Sequence, residues 1–167
     1  KHTNNKPYII LKIASSLDGK SHIESEERTI ITSKASRYDV QILRASCDAI
    51  LTGGNTLRND NPRMNARVNF PTNQPKKILL TSKDCDKELN FFKDNDVQIY
   101  KNKDLAQIIN SFKDQDFCSI LIEAGPKLAN SFLELDLVDE IISYTSNNEL
   151  GDKAVSLSLI HISEPTR

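Results

Sequence analysis

Four short segments concentrate residues whose types could do chemistry together: ASSLDGK at 14–20, TGGNTLRND at 52–60, TSK at 81–83 and EAGPK at 123–127. Each follows an apolar run of the kind that builds a buried strand. In open α/β sheets, ligands gather outside the carboxyl ends of the strands, so four polar ends on one rim favour a bound ligand. Gly125-Pro126 opens a helix whose free N–H groups and positive dipole end suit a phosphate. Gly53-Gly54 either lets the backbone approach a second part of that ligand or is simply a tight turn.

The chain has neither a GxxxxGK[ST] motif nor a strict GxGxxG, which excludes a Walker-type triphosphate site and the Rossmann fingerprint. A dinucleotide gripped by two separate glycine loops stays open. The run ILLTSK ends in Ser82 and Lys83 where an NAD-selecting acid often stands. A hydroxyl beside an ammonium suits the 2′-phosphate of NADP, and two solvated surface residues are the plainer reading. Arg44, Arg58, Arg63 and Arg67 offer a second anionic pocket for a substrate phosphate, although any single arginine is as readily a surface ion pair.

Other chemistry is excluded. His2, His22 and His161 lie far apart without a carboxylate or cysteine at ligand spacing, so no metal is expected. Cys47, Cys85 and Cys118 form no CxxC pair and read as reduced, buried thiols of a cytoplasmic protein. A net charge of −1 recruits neither nucleic acid nor an anionic membrane, and no apolar run approaches membrane-spanning length.

The elements that position these segments follow from periodicity. Residues 8–13 (YIILKI), 48–52, 77–81 (KILLT), 97–100, 119–122 (SILI) and 138–145 read as strands. Thr32 or Ser33 caps a helix running to Ser46, with Ala35, Tyr38, Ile42 and Ala45 on one face. Asp104 caps LAQIINSF, and EAGPKLANSFLEL is a helix with Pro126 in its first turn. Strands alternating with helices mean an α/β sheet with parallel pairing at its centre. The 167 residues, 38% hydrophobic and 27% charged, suit one globular domain. Residues 1–6 read as a linker remnant. The last eleven, LSLIHISEPTR at 157–167, resemble the conceptual translation of a sequencing adapter and are set aside, leaving 7–156 as the domain.

PYIILKIASSLDGK, ITSKASRYDVQILRASCDAILTGGNTLRNDNPRMNAR and SILIEAGPKLANSFLELDLVDEIISY closely resemble the reductase domain of bacterial riboflavin biosynthesis proteins. The order SLDGK, LRAxxDAILxG, DxP, EAGP carries the resemblance from Pro7 to about Gly151. It implies a dihydrofolate-reductase-like α/β fold with a mixed, mainly parallel central sheet flanked by helices and truncated at its C-terminal strands. The implied reaction is NADPH-dependent reduction of 5-amino-6-(5-phosphoribosylamino)uracil to the ribitylamino compound. Fusion to an N-terminal zinc deaminase in a longer parent and a homodimer are further expectations, although the deaminase's PCxxC motif does not occur in this sequence and the one HxE match, His22-Ile23-Glu24, stands without it.

By match of position, the resemblance assigns Ala14, Ile30, Gly53, Thr56, Asp60 and Ser82 to the cofactor. The turn formed by Gly125, Pro126, Lys127, Leu128, Ala129, Asn130 and Ser131 falls under its pyrophosphate. Arg28, Arg44, Met64, Arg67 and Glu123 fall at substrate positions. Lys12, Asp60 and Glu123 are the implied catalytic group: Lys12 polarises the sugar oxygens, Asp60 orders the ribose or nicotinamide, and Glu123 hydrogen-bonds the substrate, while Arg44 and Arg67 hold its phosphate. Departures are Ile30 where the family has Trp, Asp60-Asn61-Pro62 in place of D-D-P, and Arg28 where a small polar residue is usual. The alternatives are another pyrimidine reductase of the same fold and a non-catalytic nucleotide-binding fragment.

Overall fold

The computed structural model describes residues 6–23, 33–94, 97–101, 104–152 and 154–156. In chain order the elements are β1 (Tyr8–Ser15), β2 (Lys20–Ile23), α1 (Lys34–Ser46), β3 (Ala49–Gly53), α2 (Gly54–Asp60), β4 (Lys76–Thr81), β5 (Val97–Lys101), α3 (Leu105–Ser111), β6 (Ser119–Glu123), α4 (Pro126–Glu134), β7 (Glu140–Thr145) and β8 (Ala154–Ser156). Six strands form one sheet in the order β5-β4-β3-β6-β1-β7, and every pairing in it is parallel. Parallel strands need crossover connections: α2 lies in the one between neighbours β3 and β4, while α1, α3 and α4 lie in those that carry the chain to β3, β6 and β7. β6 is inserted between β1 and β3, so the strand order reverses there, and it is at the carboxyl ends beside such a point that open α/β sheets form their ligand crevice.

Side chains alternate across the sheet, and each face buries its own core. Ile9, Leu11, Leu51, Ile78, Ile120 and Ile122 pack with Ile108, Phe112 and Phe132 on one side. Ile10, Ile50, Leu79 and Leu121 pack with Cys47, Leu57, Met64 and Phe91 on the other. Along this second face the aliphatic series stops at the rim: Lys12 follows Ile10, Glu123 follows Leu121, and Tyr144 follows Ile142. A polar rim on an apolar face is what a site at strand ends requires.

The structure departs from the sequence expectations in three places and adds one strand pair. The helix α1 is capped by Ser33, whose hydroxyl accepts from the Ser36 N–H, but it buries Val40 and Arg44 rather than the expected face. Tyr38 and Ile42 are exposed, because Arg44 finds a buried partner and draws its own side of the helix inward. The glycine pair read as a possible tight turn instead starts a helix: Gly54 opens α2, which ends on left-handed Asn61. Outside the main sheet, β2 and β8 form a separate antiparallel pair unforeseen in the sequence. Cys47 is buried as expected, whereas Cys118 is exposed and Cys85 half-buried. Arg28, Ile30, Thr32 and residues 157–167 lie outside the described residues.

Candidate active site

The carboxyl end of β6 delivers Glu123 into a place where a carboxylate is costly unless it is paired. Glu123 is 6% exposed, and Arg44 of α1 meets it with both arms of its guanidinium: Nε donates to Oε1 at 2.6 Å and Nη2 to Oε2 at 2.9 Å. Lys12, its register partner on β1, brings Nζ to 3.8 Å from Oε2, an ion-pair distance. Burial alone pushes the Glu123 carboxyl up. The charge and hydrogen bonds of Arg44, then the charge of Lys12, overcome that push and hold it below its ordinary value. It is therefore an ionised carboxylate with a fixed orientation. The strand end itself is secured by Thr52, whose buried hydroxyl donates to the Glu123 carbonyl at 2.7 Å.

Tyr144 stands in register with Ala14 at the end of β7, and its hydroxyl donates to Asp39 Oδ2 at 2.5 Å. Burial, the bond to Asp39 and the nearby Glu123 charge all raise its phenol above the ordinary value, which keeps it protonated. Neither Tyr144 nor Asp39 is singled out by the sequence. The signal was available, since Tyr144 is a polar residue at a strand end whose preceding same-face positions are apolar.

On the other side of the crevice, α2 and α4 meet. The Gly125 N–H donates to Thr56 Oγ1 at 3.2 Å, so two residues expected at the cofactor are joined. No side chain caps α4, and its first turn holds no acid, which leaves a positive helix end at the rim. Ala129 is 1% exposed and belongs to the core, so its side chain is withdrawn from any ligand. The glycine pair has a packing cause. A Cβ on Gly54 would stand 2.5 Å from Thr81 Oγ1, and one on Gly53 would stand 3.1 Å from Leu128 Cδ2. Ser82 and Lys83 are exposed just beyond β4, where Thr81 Oγ1 accepts from the Lys83 N–H.

Asp60 is exposed at the last position of α2, whereas Met64 is buried with φ 50°. The four arginines do not share one anionic pocket. Arg44 is committed to Glu123, Arg58 donates to Asn55 Oδ1 at 2.6 Å, and Arg63 pairs with Asp94. Arg67 is exposed and donates to Asn65 Oδ1 at 3.0 Å. Of these, Arg44 is the one that faces a buried carboxylate, at 2.6 and 2.9 Å. Among the described residues, no cluster of His, Cys, Asp and Glu could hold a metal ion, and no helix is long and apolar enough to cross a membrane.

Comparison with known proteins finds relatives for the chain as a whole. Residues 7–161 match the RibD C-terminal domain family. The chain is 32% identical over 187 residues to the riboflavin biosynthesis protein RibD of Escherichia coli K12, covering 90% of this chain and 51% of that one. It is 31% identical over 193 residues to the RibD of Buchnera aphidicola, covering 93% and 52% respectively. Its fold superposes on the RibD structure of Acinetobacter baumannii, form 1, with a TM-score of 0.87 at 28% identity, over 98% of this chain and 52% of that one. The chain thus spans about half the length of the curated relatives it matches.

Proposed function

The chain belongs to the RibD C-terminal domain family, and on that footing we propose that it reduces 5-amino-6-(5-phosphoribosylamino)uracil to the ribitylamino compound with NADPH. The observation that carries the proposal is the charge array at the switch point: buried Glu123 held by Arg44, with Lys12 beside it on the neighbouring strand. An anionic acceptor and a cationic donor a few ångströms apart suit a polyhydroxylated sugar attached to a hydrogen-bonding ring.

The chain also fits the cofactor. The uncapped start of α4, with Gly125, Lys127 and Thr56 around it, suits a pyrophosphate. Ser82 and Lys83, exposed after β4, suit a 2′-phosphate, and Asp60 suits the ribose or nicotinamide. When bound, the dinucleotide supplies the hydride.

The rest is done by this chain's own residues. The N-glycosidic ribose opens to an imine, which makes C1′ electrophilic. Lys12 donates to the sugar oxygens and favours the open form. Glu123 stays ionised and accepts from the substrate, while its bond to Arg44 fixes where that acceptor lies. Arg67, on the exposed side of the loop, meets the substrate phosphate. Positioning of this kind supplies most of what a hydride transfer needs from a protein.

The test is kinetic. Lys12→Met is expected to lower kcat strongly, and Arg67→Ala to raise KM for the phosphorylated substrate with kcat nearly kept. If Lys12→Met left both constants unchanged, the reading would be wrong.

A further inference from the structure

The β4–β5 connection holds none of the proposed chemistry beyond Ser82 and Lys83, yet its far half is built around the loop that follows Asp60 at the end of α2. Lys77 of β4 is 0% exposed. Its Nζ donates to the backbone carbonyls of Phe91 and Lys93 at 2.8 and 2.9 Å, and lies 5.4 Å from the Phe91 ring centroid. A buried ammonium is costly unless its donors are satisfied, so this lysine ties residues 90–94 to the sheet.

That segment then grips the loop at two points either side of buried Pro62. The Asn90 N–H donates to Asn61 Oδ1 at 2.8 Å, and Asn90 Nδ2 to the Asn61 carbonyl at 3.4 Å. The Asp94 carboxylate accepts from Arg63 Nε and Nη2 at 2.7 and 2.8 Å. Between Asp60 and Asn65 the backbone is left-handed twice without glycine, at Asn61 (φ 40°) and Met64 (φ 50°). Such a conformation is sterically disfavoured and persists when surrounding contacts impose it. The outgoing end has separate holds. Gln74 bonds the Ala66 N–H and carbonyl, both at 2.9 Å, and Gln41 accepts from the Arg67 N–H at 3.1 Å.

We propose that the Lys77-anchored segment 90–94 is a clamp that sets the placement of Asp60, with Asn61, Asn90 and Asp94 as positioning residues for cofactor binding. The proposal rests on the reading of Asp60 as a cofactor contact. It also separates two functions of one loop: the incoming half answers to the clamp, and the outgoing half with Arg67 answers to Gln41 and Gln74.

The experiment uses the whole chain with Asp94→Ala, Asn61→Gly and Asn61→Asp, the last of which keeps an acceptor for Asn90. NADPH dissociation constants, KM for the aminouracil substrate and hydrogen exchange of residues 61–66 are measured together. Asp94→Ala and Asn61→Gly are expected to raise the NADPH dissociation constant by about tenfold and to speed exchange at 61–64. The substrate KM should change less than the NADPH dissociation constant, and Asn61→Asp should keep binding near the wild-type value. Unchanged exchange in both variants overturns the clamp, whatever the enzyme binds. Faster exchange with an unchanged dissociation constant overturns the positioning role. A wild-type chain that binds no NADPH refutes the functional reading and, with it, the positioning role, leaving exchange to judge the clamp alone.

Discussion

Arg44 and Glu123, 79 residues apart in the chain, form a bidentate ion pair at 2.6 and 2.9 Å with both residues buried. The pair joins α1 to the end of β6 and does two things at once. It makes a carboxylate tolerable inside the protein, and it aims that carboxylate at the crevice where Lys12 also stands.

Removing one partner should therefore cost far more than replacing both. Arg44→Ala leaves Glu123 buried and uncompensated, with an expected loss of about 3–5 kcal/mol in urea unfolding. The double change Arg44→Met with Glu123→Leu should recover most of that stability while abolishing activity. If Arg44→Ala unfolded at the wild-type urea concentration, the pair would not be the anchor it looks like.

Among the described residues four carboxyls are held below their ordinary values, Asp18, Asp84, Asp94 and Glu123, and they set the behaviour in acid. Asp18 lies at about 2, chiefly through its bond from the Ser16 hydroxyl and also through the Leu150 and Gly151 N–H groups, and Glu123 is lowered by Arg44 and Lys12. A carboxyl lowered in the folded state stabilises above its unfolded value, and the gain is lost as pH falls through the folded value. Stability should thus be level near neutrality and fall from about pH 4 toward pH 2. Asp18→Asn should flatten the acid limb, because it removes the group whose protonation causes part of the loss. A thermal midpoint that fell equally steeply in wild type and Asp18→Asn would exclude Asp18 as a cause.

Gly54 separates a packing role from a ligand role. Since an added Cβ would press on Thr81 Oγ1 at 2.5 Å, Gly54→Ala should cost about 1–3 kcal/mol even without ligand. Gly54→Ala with Thr81→Ala should recover part of that loss. An undiminished stability for Gly54→Ala, with weakened nucleotide binding, would return the glycine to the role the sequence suggested.

The sequence was legible where a local signal and the fold agree. YIILKI, ILLT and SILI are buried on both faces, so their continuous apolar runs mark parallel strands. Ser33 and Asp104 were readable as caps because a capping side chain acts within three residues of itself. The failures involve distant partners. No helical pattern in α1 shows that Arg44 is its inward residue, because the reason lies on β6. The short helix α2 was hidden by its glycine and asparagines, which favour turns when Leu57 is not seen to be fully buried. Lys12, Glu123 and Arg44 were each nameable from residue type and resemblance, but that the three form one array was not. Long-range pairing also explains why β2 and β8 escaped notice, since neither short segment makes sense without the other.

The most direct test mixes the whole chain with NADPH and 5-amino-6-(5-phosphoribosylamino)uracil, then follows nucleotide oxidation and identifies the product by mass. The account expects oxidation that depends on the aminouracil and a product two hydrogens heavier, with the rate lost in Glu123→Gln. A folded chain that binds both compounds yet oxidises no NADPH, or a Glu123→Gln variant as fast as wild type, would contradict it.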